Sequence, residues 1–258
     1  MRDLGVESRL KKLIVAPSWI IVAIGSVLSY TELIGIEGTH YFAIKSNLFN
    51  KYFVKRGWLW FTVAFWLAVF SRRDGKRDVL LSSYRYAAAT IWWVFFTQWL
   101  LGPPIMDRLF TATGGSCELS DSDNVVSTSK VCRGKGGSWS GGHDPSGHVF
   151  LLTLSSTVIL FEFWQTLKAI RAGDIRLSQS KKSWAVLVIQ ALNYIMLFFT
   201  CVYFHSFGEK VTGFFAALVE VYFVYFFIDK LTGGAQAMHS SDIVTNQPKE
   251  SEVAISQN

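Results

Sequence analysis

Two histidines, far apart in the chain, stand in settings suited to phosphoryl transfer. His148 follows Asp144-Pro145-Ser146-Gly147 and opens the apolar run Val149–Phe163. A proline, a hydroxyl residue and a glycine ahead of a helix leave backbone N–H groups unpaired, and both those donors and the helix dipole favour an anion. Ser146 suits the N-cap, which places His148 in the first turn beside that anion. His205 comes just after another apolar run, with Glu209 four residues on. Where the backbone is helical, positions i and i+4 share a face, so the carboxylate can hold the ring N–H and stabilise an imidazolium.

Transfer through a histidine has three requirements: an oriented nucleophilic imidazole, a group to protonate the leaving oxygen, and donors for the phosphoryl oxygens. His205 with Glu209 answers the first and His148 the second. The N–H groups around Ser146 and Gly147, the Ser146 hydroxyl and Lys210 answer the third. The residues therefore point to phosphate chemistry at a membrane surface, with no dissolved cofactor required and no metal ligands assigned.

The elements that must position these groups are apolar helices. Half of the 258 residues are hydrophobic, 16% are aromatic and ten are tryptophan, with a mean hydropathy of +0.29. An apolar run of roughly 17–25 residues can cross the hydrocarbon core. Six stretches qualify or come close: 13–30, 53–70, 84–101, 148–167, 184–204 and 212–231. The expected fold is all-α, a polytopic membrane bundle of six transmembrane helices with a long lumenal loop between the third and fourth. The net charge of +6 does not signal nucleic acid, because the basic residues gather in short segments at membrane edges. Arg9, Lys11 and Lys12, then Arg72, Arg73, Lys76 and Arg77, then Lys168, Arg171, Arg176, Lys181 and Lys182 fall on one side of a six-span layout. The positive-inside rule makes that side cytosolic. Lys51, Lys55 and Arg56 break the pattern, and snorkelling to a headgroup layer is their simplest reading. Both histidines then lie on the opposite face.

The chain reads as a polar leader (1–12), a six-span catalytic domain (13–232) containing the loop 105–147, and a polar, disordered cytosolic tail (233–258). The basic-then-apolar start resembles a signal peptide but lacks a small-x-small cleavage site, so an uncleaved first span is preferred. Thr113–Gly142 is rich in Gly and Ser and has no apolar periodicity; such a loop is functional or disordered. Cys117 and Cys132 share this loop and are either joined or free, while Cys201 reads as a packing residue. Glu162 and Glu220 lie within apolar runs and suggest polar helix–helix contacts or snorkelling, and Gln190 and Asn193 suggest interhelical hydrogen bonds.

Pro-Ser-Gly-His at the start of a span, with a downstream histidine and an acid at +4, resembles the membrane lipid phosphatase superfamily. Within it, Ser140-Gly-Gly-His-Asp-Pro-Ser-Gly-His148, Phe150-Leu-Leu-Thr-Leu154 and Tyr203-Phe-His-Ser206 are similar to the fat-storage-inducing transmembrane family. The resemblance implies an endoplasmic reticulum membrane protein with both termini cytosolic and a lumenal site, associated with lipid droplets. It further implies an acyl-CoA diphosphatase that splits fatty acyl-CoA into acyl 4′-phosphopantetheine and adenosine 3′,5′-bisphosphate. Under the superfamily's roles His205 is the nucleophile, Glu209 its orienter and His148 the general acid.

The chain departs from the superfamily at three places, one of them Glu209, which replaces an aspartate. No Lys-x6-Arg-Pro precedes the loop, and Phe199-Thr200 stand where a Ser-Arg pair belongs. Two phosphate-binding arginines are thus missing, leaving Arg108, Arg133, Lys135 and Lys210 as candidates, with His143 a candidate for placing substrate. Two other functions stay open: a phosphatidate or lysophosphatidate phosphatase, and a non-catalytic protein that binds triacylglycerol or diacylglycerol and partitions it into droplets.

Overall fold

The computed structural model describes residues 4–31, 40–71, 76–98, 101–119 and 126–228. The expectations that fall on Arg72, Arg73 and the 233–258 tail lie outside the described residues. The chain divides into two units, Met1–Glu220 and Val221–Asn258; the second contributes a π-helical stretch, Phe223–Ile228.

The long helices follow the apolar stretches. They are α1 (Leu4–Tyr30), α2 (Gly57–Ser71), α3 (Lys76–Thr97), α6 (Gly147–Arg171), α8 (Lys181–Tyr203) and α9 (Phe207–Tyr222). Among the described residues, four helical stretches are long and apolar enough to cross a bilayer: Leu13–Tyr30, Phe49–Ser71, Gly147–Arg171 and Lys181–Tyr203. The protein is thus a mostly helical, multi-pass membrane protein. Helix α3 begins two turns before its apolar stretch because Lys76, Arg77 and Asp78 are acceptable in a first helical turn. Helix α1 likewise runs back from its apolar stretch through most of the polar leader. Hydropathy marks apolar length and not helix ends.

Helix α6 is the centre. It packs on α1, α2, α3 and α8, and α1 and α2 also pack on α8. Val149, Phe150, Leu152, Leu154 and Ile159 are all within 0% exposure, as are Thr153, Ser156 and Thr157. Small hydroxyl residues in such a helix let neighbouring backbones approach. Gln190 of α8 donates to the Ser156 carbonyl at 3.2 Å, one of the expected interhelical bonds. Glu162, fully buried on α6, accepts from Ser82 Oγ at 2.8 Å and pairs with Arg85 at 3.2 Å, both on α3. Aromatic rings join other helices: Trp58 of α2 stacks on Trp93 of α3 at 4.5 Å, and Phe96 of α3 meets Phe150 of α6 at 4.3 Å. Trp92 Nε1 donates to the Ala216 carbonyl of α9 at 2.9 Å.

The loop between α3 and α6 is ordered over much of its length despite its lack of periodicity. It holds α4 (Ile105–Ala112), β1 (Ser116–Glu118), α5 (Ser129–Gly134) and β2 (Ser138–Ser140), with β1 and β2 antiparallel and Cys117 opposite Trp139. A Cys117–Cys132 disulfide and the stacking of Phe110 on Trp139 at 4.2 Å replace an apolar face as the source of order. This settles the open question about these thiols in favour of a bond. Helix α7 (Ile175–Ser178) is one turn between α6 and α8, capped by Asp174.

Candidate active site

The beginning of α6, the end of α8 and the beginning of α9 meet at one end of the bundle. Ser146 caps α6, its Oγ accepting the Val149 N–H at 3.2 Å. Its own N–H donates to the Glu209 carbonyl at 3.0 Å, so the two helix starts are tied directly. Gly213 makes that approach possible, since a Cβ there would stand 2.5 Å from the Ser146 carbonyl oxygen. Ser146 is fully buried and engaged on both backbone and side chain. The Gly147 and His148 N–H groups are the next two donors, and a first helical turn offers them no partner; no described residue accepts them.

His205 is placed by an unusual backbone. Helix α8 ends at Tyr203, Phe204 is extended, and His205 has φ +64°. This is the left-handed conformation common just past a helix end, where glycine usually sits. A side chain there costs about 1 kcal/mol, and residues held in such conformations cluster at functional sites. The turn aims the ring back at Glu209: Nδ1 lies 3.4 Å from Oε2. The pairing expected from i, i+4 spacing is present, yet its cause differs, because His205 is not helical. Ser206 and Glu209 form a capping box instead. The Ser206 N–H donates to Glu209 Oε2 at 2.8 Å, and the Glu209 N–H donates to Ser206 Oγ at 3.5 Å. The Ser-x-x-Glu signature was readable in the sequence. The other oxygen, Oε1, accepts the Asp144 N–H at 3.3 Å. One carboxylate thus orients the imidazole, caps α9 and pins the strand leading into α6.

The electrostatics follow from this packing. Burial pushes the His205 imidazole below its ordinary value, and the neighbouring charges of Glu209 and Asp144 only partly offset it. The shift favours the neutral ring, the form in which an imidazole is nucleophilic. Burial acts to raise Glu209, but the Ser206 hydrogen bonds, the His205 charge and the Asp144 N–H outweigh it and leave the carboxyl below its usual range. Asp144 is raised, chiefly by burial, against the opposing pull of His205 and Arg133. Its proximity to His205 makes it a second carboxylate at the site, one to which the sequence motifs alone gave no role.

The remaining candidates divide. His148, half-buried in the first turn of α6, lies within electrostatic reach of His205, Lys45 and Lys55. His143 Nε2 is 2.7 Å from Thr212 Oγ1, and its N–H donates to Thr113 Oγ1 at 2.8 Å, so it fastens the loop to α9. Lys210 is 1% exposed and lies within electrostatic reach of Cys201 and Glu209. Arg108 is turned away, with Nε and Nη2 donating to the Pro103 and Leu101 carbonyls at 2.7 and 2.8 Å. Arg133 pairs with Asp144 at 3.5 Å, and Lys135 is exposed on the disulfide loop. Among the described residues, no group of three or more His, Cys, Asp or Glu is disposed to hold a metal.

The model of the fat storage-inducing transmembrane protein family matches residues 38–183 and 165–225. The chain belongs to this family. Acyl-coenzyme A diphosphatase fit1 of Schizosaccharomyces pombe is 41% identical over 207 residues, covering 79% of this chain and 80% of that protein. Two more distant relatives bear the name acyl-coenzyme A diphosphatase FITM2. That of Caenorhabditis elegans is 27% identical over 225 residues, covering 79% of this chain and 75% of its own. That of Danio rerio is 29% identical over 214 residues, covering 78% of each. No solved structure matches. The family's matched residues take in both histidines, and the segment from residue 38 onward as well, which the motifs alone did not single out.

Proposed function

We propose that this chain is an acyl-CoA diphosphatase of the endoplasmic reticulum membrane, with its site on the lumenal face. The observation that carries the reading is the arrangement of His205, oriented by Glu209, beside the α6 helix start that bears His148. The relatives' shared name supplies the substrate class. In this reading His205 Nε2 attacks one phosphorus of the pyrophosphate, Nδ1 being turned to Glu209. An N–P bond forms as the bridging P–O bond breaks, and the leaving phosphate takes a proton from His148. Water then displaces the histidine and returns a proton to His148. The Gly147 and His148 N–H groups hold phosphoryl oxygens, Ser146 positions them through its cap, and Lys210 adds positive charge. The sum is acyl-CoA plus water giving acyl 4′-phosphopantetheine and adenosine 3′,5′-bisphosphate.

Helices α3 and α9 join the four apolar stretches to make six crossings in this proposal. The termini and the basic segments after α2 and α6 are then cytosolic, and the disulfide is lumenal, where oxidation is favoured. The acyl chain lies between helices while the nucleotide faces the lumen; triacylglycerol and diacylglycerol are partners through lipid-droplet formation.

The test is purified protein in lipid nanodiscs given oleoyl-CoA, with both products followed by mass spectrometry. Equal release of the two products is expected, falling at least about 100-fold in His148→Ala and in His205→Asn. Undiminished turnover in both variants, or release of inorganic phosphate from phosphatidate in place of these products, overturns the reading.

A further inference from the structure

An acyl-CoA head carries a pyrophosphate and a 3′-phosphate, and the cations that should face them are missing from the expected places. Arg108 holds carbonyls, Arg133 holds Asp144, and Lys210 is buried. The segment between α1 and α2 supplies others. It runs from His40 to Arg56 through 3-10 turns at Tyr41–Ala43 and Val54–Arg56 and a π-helical turn at Phe49–Phe53, and it meets both α8 and α6. Phe42 stacks on Phe199 of α8 at 3.9 Å, and His40 stacks on Tyr203 at 6.0 Å, two residues from His205. At its far end, the start of α2 abuts α6: a Cβ on Gly57 would stand 2.6 Å from Leu151, three residues from His148.

Buried amides fix the segment internally. Asn47 donates to the Ile44 carbonyl at 2.9 Å and accepts the Asn50 N–H at 2.8 Å, while Asn50 donates to the Lys45 carbonyl at 2.7 Å. Lys45 is exposed and held at its backbone between two docking points. Its charge reaches both His148 and His205, and that of Lys55 reaches His148. Lys51 differs, its Nζ lying over the Tyr52 ring at 5.1 Å.

We propose that Lys45 and Lys55 form a cationic clamp that holds the phosphate groups of the substrate against the two histidines, taking the place of the missing motif arginines. This rests on the acyl-CoA reading. Lys45 stands at the scissile pyrophosphate, Lys55 on the His148 side, and Asn50 is a positioning residue for Lys45. The basic cluster that broke the positive-inside pattern is then a ligand feature, on the substrate's side of the membrane.

The experiment compares Lys45→Gln, Lys55→Gln and the double variant with Lys51→Gln, which removes the same charge from the same segment. In nanodiscs with oleoyl-CoA, each clamp variant should lower kcat/KM about 10- to 100-fold, the scale of a charge-assisted hydrogen bond. Lys45→Arg should recover most of it, and Lys51→Gln should stay within about threefold of wild type. Adenosine 3′,5′-bisphosphate binding, read by calorimetry, should weaken in the double variant with unchanged thermal unfolding. Wild-type turnover with clamp variants no worse than Lys51→Gln overturns the clamp alone. Absence of wild-type turnover overturns the acyl-CoA reading, and equal binding by wild type and double variant then removes the clamp as well.

Discussion

Glu209 and His205 are joined through the oxygen that also caps α9: Oε2 stands 3.4 Å from the ring Nδ1 and accepts the Ser206 N–H at 2.8 Å. The imidazole is consequently oriented by a group that cannot drift without unravelling a helix start. Its protonation must be visible in the pH dependence of turnover. In the proposed mechanism His205 attacks as the neutral ring, and its pKa lies below the ordinary imidazole value. Activity in kcat/KM should therefore persist as pH falls past about 6.5 and be lost only at the lowered pKa. Glu209 opposes that lowering, so Glu209→Gln should shift the acid limb to still lower pH while reducing kcat. An acid limb that stays put or moves upward in this variant would exclude the pairing.

The backbone at His205 yields a stability prediction that runs against activity. At φ +64°, His205→Gly relieves strain and His205→Asn retains a residue that tolerates the left-handed region, whereas His205→Ala does neither. All three should be inactive. Thermal unfolding in detergent should place the alanine variant below the glycine variant by about 1 kcal/mol. The reverse order would mean that the turn is not left-handed in solution.

The contact between α6 and α9 can be tested by a single methyl group. Gly213→Ala puts a Cβ 2.5 Å from the Ser146 carbonyl, and neither backbone can yield without moving the helix start. The expected cost is about 1–3 kcal/mol, with a larger fall in kcat than in substrate binding. Gly134→Ala meets nothing within 4 Å and is the matched control; equal effects from the two would refute the argument.

The disulfide closes a loop with a separation of 15 residues. Loop entropy of that size contributes about 3 kcal/mol. Cys117→Ser with Cys132→Ser should lower the unfolding midpoint and raise local hydrogen exchange over residues 126–144. Exchange unchanged there would show that Phe110 and Trp139 order the loop without the bond.

Much of this architecture was legible in the sequence because apolar length is a local property. The same holds for the Ser146 cap and for the meeting of His205 with Glu209. What spacing could not supply was the reason for that meeting, which is a capping box and a left-handed turn in place of a helical face. Lys45 was invisible because its position depends on Phe42 finding Phe199 and on Asn50 holding its carbonyl, contacts that exist only after α1 and α8 have packed. Arg108 looked like a phosphate ligand by charge alone, and only its bonds to Pro103 and Leu101 show it otherwise engaged.

The pairing of Glu162 with Ser82 and Arg85 bears on biogenesis. If α3 crosses the membrane, as the six-crossing proposal requires, it carries an arginine that the translocon would be slow to release into lipid. Its neutralising carboxylate lies on α6, 77 residues later in the chain. Synthesis must therefore proceed through the whole disulfide-bearing segment before this contact between α3 and α6 can form. On the six-crossing proposal, Glu162→Ala should slow membrane integration of α3, read by a glycosylation reporter, before any effect on chemistry.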